Sequence, residues 1–219
     1  MVHLAVPGPP LCLCPLCSAP PPQGTAAALA VDGTDGPWRL HRAREAGHTG
    51  RLCGLDPDGA ALDRASGRGG IEWVLGRAEE AVWEGEFGLA VMASNVFQVF
   101  VTDDELRASL AAIRHALSDG GRFVFGTRNP QARAWEQWNP ANHVDVTDHM
   151  DRALRVSHFV ESVVGDVVTF TGTTATRAGE PLRIDRTSLR FLDAGRICAF
   201  LGDSASRTRR ATGTGRVGR

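Results

Sequence analysis

The 219-residue chain contains no lysine and no tyrosine. All 24 basic side chains are therefore arginine, set against 25 Asp and Glu for a formal net charge of -1. Codons for Lys and Tyr are AT-rich, whereas those for Arg, Gly, Ala and Pro are GC-rich. The composition points to a high-GC bacterial genome, such as an actinobacterial one. The near-neutral balance excludes the electrostatic footprint of a nucleic-acid or anionic-membrane partner. No apolar run approaches the roughly 20 residues that span a bilayer. The N-terminus carries no early basic residue and is broken by Pro7, Pro9, Pro10 and Pro15, so it makes a poor secretory signal. The expectation is a cytoplasmic protein.

Cysteine is also scarce: Cys12, Cys14, Cys17, Cys53 and Cys198. "CLCPLC" invites a metal reading, but a structural zinc site wants four ligands, commonly as two spaced pairs. Three of the five crowd one Pro-rich stretch, and no second pair exists. The expected metal set is none.

What is present divides into four segments. Residues 1–29 are rich in Pro, Ala and Cys with no period of 2 or 3.6, and read as a disordered leader. Residues 30–140 carry the regular pattern. "LCGLD" (52–56) is a short buried strand, followed by a helix with Pro57 near its start. "IEWVLG" (71–76) and "FGLAVMAS" (87–94) are further strands; the near-continuous apolar run of the latter suits a parallel strand covered on both faces. In "TDDELRASLAAIRHALSDGG" (102–121), Thr102 and Glu105 form a capping box. Leu106, Leu110, Ile113 and Leu117 make one apolar stripe, and Asp119-Gly120-Gly121 stops the helix. "RFVFGT" (122–127) is a fourth clear strand, and "NPQARAWEQW" leads into another helix. This is the grammar of a doubly wound, mostly parallel α/β sheet. Residues 141–202 change character: 154–193 alternate polar and apolar residues and predict about three antiparallel strands, a small meander, with a helix starting at 194–202. Residues 203–219 have almost no apolar side chains and read as a disordered tail.

Four stretches in order, "GLDPDGAALDRA", "IEWVLGRAEE", "EFGLAVMASNVFQVF" and "ELRASLAAIRHALSDGGRFVFGTRNP", resemble a class I S-adenosylmethionine-dependent methyltransferase. The resemblance covers about residues 30–140, and the most specific part is "LAAIRHALSDGGRFVF" (110–125). The wording is similar to a subgroup of small-molecule enzymes from GC-rich bacteria, in which a β-rich insert follows the fifth core strand. The resemblance implies a Rossmann-like fold, S-adenosyl-L-methionine as cofactor and a small-molecule acceptor. Asp56 would accept hydrogen bonds from the cofactor ribose, with Leu55 or Pro57 beside the adenine. The simpler role for Asp56 is an N-cap of the following helix. Ser94 and Asn95 would lie between cofactor and acceptor, or merely start a loop. Phe97, Gln98 and Val99 read mainly as core or lid. Arg128 and Asn129 are acceptor-pocket candidates, whereas Trp135 and Trp138 suit packing against the sheet or the meander. His143 and His149 are the remaining general-base candidates, and many such enzymes need none.

The chain departs from the family pattern in four places. The first motif, an acid and then Gly-x-Gly-x-Gly, is matched by the compressed "VDGTDG" (31–36). Asp32, Gly33 and Gly36 are its cofactor-binding candidates, and Pro37-Trp38-Arg39 stand where small residues belong. "GRA" puts Arg77 where an acid commonly receives the adenine amine. Gly88 replaces the usual Asp. After the last helix, a Gly-Phe segment and two closing strands are expected, but arginine, glycine, serine and threonine follow. A frameshift near codon 203 would account for this, since the shifted codons of 204–207 can spell Gly-Phe-Glu and those of 212–215 Gly-Asp-Trp. A truncated paralogue is the competing account.

Two other functions compete. One is a non-catalytic protein that keeps the fold but has lost cofactor binding. The other is a nicotinamide-dependent oxidoreductase, which needs a clean G-x-G-x-x-G that "GTDGPW" does not supply.

Overall fold

The computed structural model describes residues 27–31, 36–67, 69–92, 96–148 and 151–211. The described residues divide into two compact units, one formed by those from 27 to 127 together with those from 194 to 211, the other by Arg128–Asp193.

The first unit is built on five strands: β1 (Ala28–Val31), β2 (Leu52–Asp56), β3 (Glu72–Leu75), β4 (Phe87–Met92) and β5 (Leu117–Phe125). They pair in the order β3-β2-β1-β4-β5, parallel throughout. Helices α1 (Gly36–Glu45) and α2 (Gly59–Ala65) link β1 to β2 and β2 to β3, and α3 (Asp103–Ala116) links β4 to β5. The winding reverses at β1, so right-handed crossovers place α1 and α2 on one face and α3 on the other. The doubly wound α/β sheet expected from the sequence is therefore the observed one. The apolar strands explain it: Leu29, Cys53, Phe87, Ala90 and Met92 are fully buried, as a sheet covered on both faces requires. β1 begins at Ala28, inside the segment read as leader. Gly54 has a packing role. A Cβ there would lie 2.2 and 2.4 Å from ring carbons of Trp73, so the bare backbone makes room for the indole of the neighbouring strand.

The Thr102–Glu105 capping box forms as read, with the Glu105 amide donating to Thr102 Oγ1 and the Thr102 amide to Glu105 Oε2. Leu106, Leu110 and Ile113 are buried along one stripe. The helix stops earlier than predicted, at Ala116, because Leu117 is already paired with Phe87 in the sheet. The next partners are Leu89 and Arg122, so residues 118–121 bulge out of the ladder. Gly120 holds φ +74° there, and a Cβ on Gly121 would meet the carbonyl oxygens of Ser118 and Phe87 below 3 Å. The Asp-Gly-Gly signal marks a bulge inside a strand, not a helix stop.

The tail expectation is corrected for residues 203–211. Helix α4 runs from Ala194 to Ala211. Ile197 and Phe200 are buried, Ser204 Oγ donates to the Phe200 carbonyl at 3.0 Å, and the Arg107 guanidinium of α3 lies 5.0 Å from the centre of the Phe200 ring. A segment with few apolar residues cannot make a buried strand, but it can extend a helix already anchored by one apolar turn. Residues 212–219 lie outside the described residues. No helix among the described residues is long and apolar enough to cross a membrane.

The second unit is a four-stranded antiparallel sheet in the order β6 (Val144–Thr147), β7 (Ala153–Val164), β8 (Val167–Thr176), β9 (Pro181–Arg190). Three of these are the predicted meander. The fourth, β6, is short and exposed, and its apolar alternation is too brief to read. The helix expected from "NPQARAWEQW" is absent. Residues 130–132, 134–137 and 140–142 are separate 3-10 turns. Arg133 breaks the run with a left-handed conformation at φ 44°, and Asn129 and Asn139 cap turns that open on Pro130 and Pro140. Trp138 packs on Phe170, and Trp135 on Phe191, so both tryptophans pack within the β-rich unit. Arg190 is buried and paired with Asp166 at 3.0 Å.

Candidate functional site

At the C-terminal ends of the parallel strands, the first unit encloses a cavity of about 300 Å³. Its walls come from the ends of β1 (Val31) and β2 (Leu55, Pro57), the turn after β3 (Gly76–Glu79), the segment after β4 (Val96, Val99, Phe100) and the first turn of α3 (Glu105). A mostly apolar pocket with a few polar groups, beside the point where strand order reverses, is where open α/β sheets hold their ligands.

Asp56 is the last residue of β2 and only 2% exposed. Its backbone carbonyl receives the Gly76 amide at 3.1 Å, which ties β2 to the turn after β3. Its Oδ1 accepts the Asp58 amide at 2.8 Å. Its Oδ2 is buried and has no partner among the described residues. Burial pushes its carboxyl above the usual range, against the Asp58 amide, which lowers it. Asp56 is not the N-cap of α2. That position belongs to Asp58, whose side chain accepts the Ala60 amide. An apolar strand end thus carries an unspent acceptor between two cavity-lining residues, Leu55 and Pro57.

The charged cavity residues are Arg77, Glu79 and Glu105. Glu105 is committed to Thr102, whose amide and hydroxyl hold its carboxyl below the usual range. Arg77 lies 3.3 Å from Glu79 Oε1, and Ser109 donates to Glu79 Oε2 at 3.3 Å. Gln98 and Phe97 are buried, whereas Val99 lines the cavity, so only part of that segment is core. The phenyl rings of Phe97 and Phe125 stack at 4.3 Å and brace this wall against β5.

The structure brings Leu55, Asp56 and Pro57 together with Val31, the residue before the predicted glycine loop. Asp32, Gly33, Ser94, Asn95 and His149 lie outside the described residues. Gly36 opens α1, with Pro37 in the first turn, where its missing N–H is tolerated. Arg128 and Asn129 belong to the second unit. Arg128 lies over the Trp138 ring at 5.4 Å, and burial lowers its pKa. The Asn129 side-chain oxygen caps the next turn by accepting the Gln131 amide. His143 is exposed. His158, which no motif singled out, sits between Trp138 and Phe170, and burial together with Arg128 lowers its pKa. Cys53 is buried in β2 and Cys198 exposed on α4; the other three cysteines lie outside the described residues. The cavity residues Glu79, Val96, Phe100 and Glu105 were not read from the sequence as site residues. The acid two positions after Arg77 was the available signal for Glu79.

No protein-family model matches the chain, and no curated protein matches it in sequence. Solved structures do match it in fold. An amino pentose methyltransferase from Micromonospora echinaspora, solved with S-adenosylmethionine bound, aligns with a TM-score of 0.62 at 18% identity over 83% of this chain and 76% of that one. A sugar N-methyltransferase from Streptoalloteichus aligns at 0.63 and 16% identity, over 83% and 72%. An S-adenosylmethionine-dependent methyltransferase from Clostridium acetobutylicum aligns at 0.60 and 15%, over 81% and 72%. With its five parallel strands wound about β1 and its cavity at their C-terminal ends, the chain has the fold of the class I S-adenosylmethionine-dependent methyltransferases.

Proposed function

We propose that the protein is an S-adenosylmethionine-dependent methyltransferase acting on a small molecule. The observation that carries this reading is Asp56 Oδ2: a buried carboxylate oxygen without a partner among the described residues, beside an apolar cavity at the ends of β1 and β2. A ribose diol supplies the donors such an acceptor lacks. Leu55, Pro57, Val99 and Phe100 supply apolar walls for a purine. Asp32, Gly33 and Gly36, which follow β1 in the sequence, are the proposed holders of the methionine end, with Ser94 and Asn95 after β4. Bound there, the cofactor supplies a methyl group already activated by its sulfonium sulfur. The chain's task is then chiefly to position and to exclude water, since alignment alone supplies much of the rate. Arg128 and Asn129 are proposed as acceptor-binding residues: Arg128 is a shielded cation over an indole, and Asn129 presents a side-chain amide whose oxygen caps the next turn. Two of the three named neighbours are a sugar N-methyltransferase and an amino pentose methyltransferase, which supports a small polar acceptor.

The test is calorimetric titration of folded protein with S-adenosylhomocysteine. Saturable binding at micromolar concentrations is expected. No heat at high micromolar ligand would overturn the enzyme reading and leave the alternative of a fold that has lost its cofactor.

A further inference from the structure

Given the cofactor reading above, on which this step rests, we infer that Glu79 is the group that selects the base at the far end of the cavity, in place of the residue at position 77. Strand order places the turn after β3 on the opposite side of Asp56 from β1. A nucleoside whose ribose meets Asp56 and whose remainder runs toward β1 therefore directs its base toward Gly76–Glu79. The polar groups there are Arg77 and Glu79. Arg77 is an exposed cation, 63% accessible, and cannot accept a hydrogen bond. Glu79 is more shielded, at 28%, and is steadied from both sides by Arg77 and by the fully buried Ser109. Both contacts are long, at 3.3 Å, and they occupy two of the roughly four acceptor directions of a carboxylate. The remaining directions suit an amino group on the rim of an aromatic ring. Arg77 then acts as the positioning residue that holds the carboxylate, not as the group that reads the base. Glu105, the other acid on the wall, is already bound to Thr102.

A site built around an acceptor discriminates against a ligand that presents a carbonyl in place of the amine, because two acceptors are then left facing each other. The experiment titrates the full chain with S-adenosylhomocysteine and with its inosine counterpart, alongside adenosine and inosine. Wild-type protein is expected to prefer the amino form of each pair by about tenfold or more. Glu79→Gln, whose amide can both accept from Ser109 and donate to a carbonyl, should abolish that preference. Asp56→Asn should weaken both homocysteine ligands alike. Equal wild-type affinity for the two purines, or a preference that survives Glu79→Gln, overturns the assignment. The wild-type comparison needs no variant and so stands even if Glu79→Gln fails to fold. If adenosine binds with the preference but S-adenosylhomocysteine does not bind, the methyltransferase reading fails and the role of Glu79 stands. If S-adenosylhomocysteine binds no better than its inosine counterpart, the reverse holds. Binding of no nucleoside overturns both.

Discussion

Asp56→Asn should make the protein bind its cofactor worse while making the ligand-free fold less sensitive to pH. The substitution keeps the shape and keeps an oxygen for the Asp58 amide, now 2.8 Å from Oδ1. It removes a buried charge whose second oxygen has no partner among the described residues. A hydrogen bond to a charged group contributes roughly 1.5–3 kcal/mol net. At about 1.4 kcal/mol per tenfold, affinity for S-adenosylhomocysteine should fall roughly ten- to a hundredfold. The ligand-free protein behaves differently. Burial raises the folded-state pKa above the ordinary 3.8, so between the two values the native state binds more protons than the unfolded one. Stability from this group is then fully present below the ordinary value and lost as pH rises through the folded one. Above the folded value the wild type carries the cost of the buried charge, and Asp56→Asn should match or exceed its Tm there, with the advantage vanishing on acidification. Calorimetry for affinity and thermal unfolding from pH 4 to 8 read the two effects separately. An affinity change below about threefold would refute the ribose role and reduce Asp56 to a support for the Asp58 amide.

Three further outcomes are expected. Gly54→Ala drives a Cβ into the Trp73 ring, where the contacts would be 2.2–2.4 Å, and should cost about 1–3 kcal/mol in denaturant unfolding, with partial recovery when Trp73 is also reduced to Leu. Thr102→Ala removes the cap of α3 and should cost about 1 kcal/mol. The Thr102 backbone amide, the main cause of the lowered Glu105 pKa, survives the substitution. Only the part of the cost that comes from the lost hydroxyl bond to Glu105 should therefore be present above the ordinary value of 4.5 and fade as pH falls through the folded value. Burial and Arg128 lower the His158 pKa, so stability of the β-rich unit should be intact above the ordinary 6.5 and decline as pH falls through the lowered folded value. His158→Gln should flatten that decline, as followed by NMR of the β7–β8 amides. An unchanged acid profile would refute the burial argument.

The parts of the fold that were legible share one property: local pattern and tertiary role agree. β2 and β4 are apolar runs because both faces are covered, and the α3 cap needs only Thr102 and Glu105, three residues apart. The errors occur where a partner distant in sequence decides. Leu117 leaves the helix because Phe87, thirty residues earlier, pairs with it. Residues 203–211 are helical because Phe200 and Ser204 dock a continuing turn. β6 exists because β7 offers it an edge.

The site divides the same way. The sequence by itself determined that Asp56 ends an apolar strand between Leu55 and Pro57, since that follows from a short run closed by an acid and a proline. Strand order, fixed by non-local pairing, decided which loops share the cavity with it. It also left Oδ2 buried without a donor among the described residues, while Asp58 takes the N-cap of α2. Only the folded chain sets Ser109 of α3 against Glu79, because side chains thirty residues apart meet through packing and not through any period in the sequence.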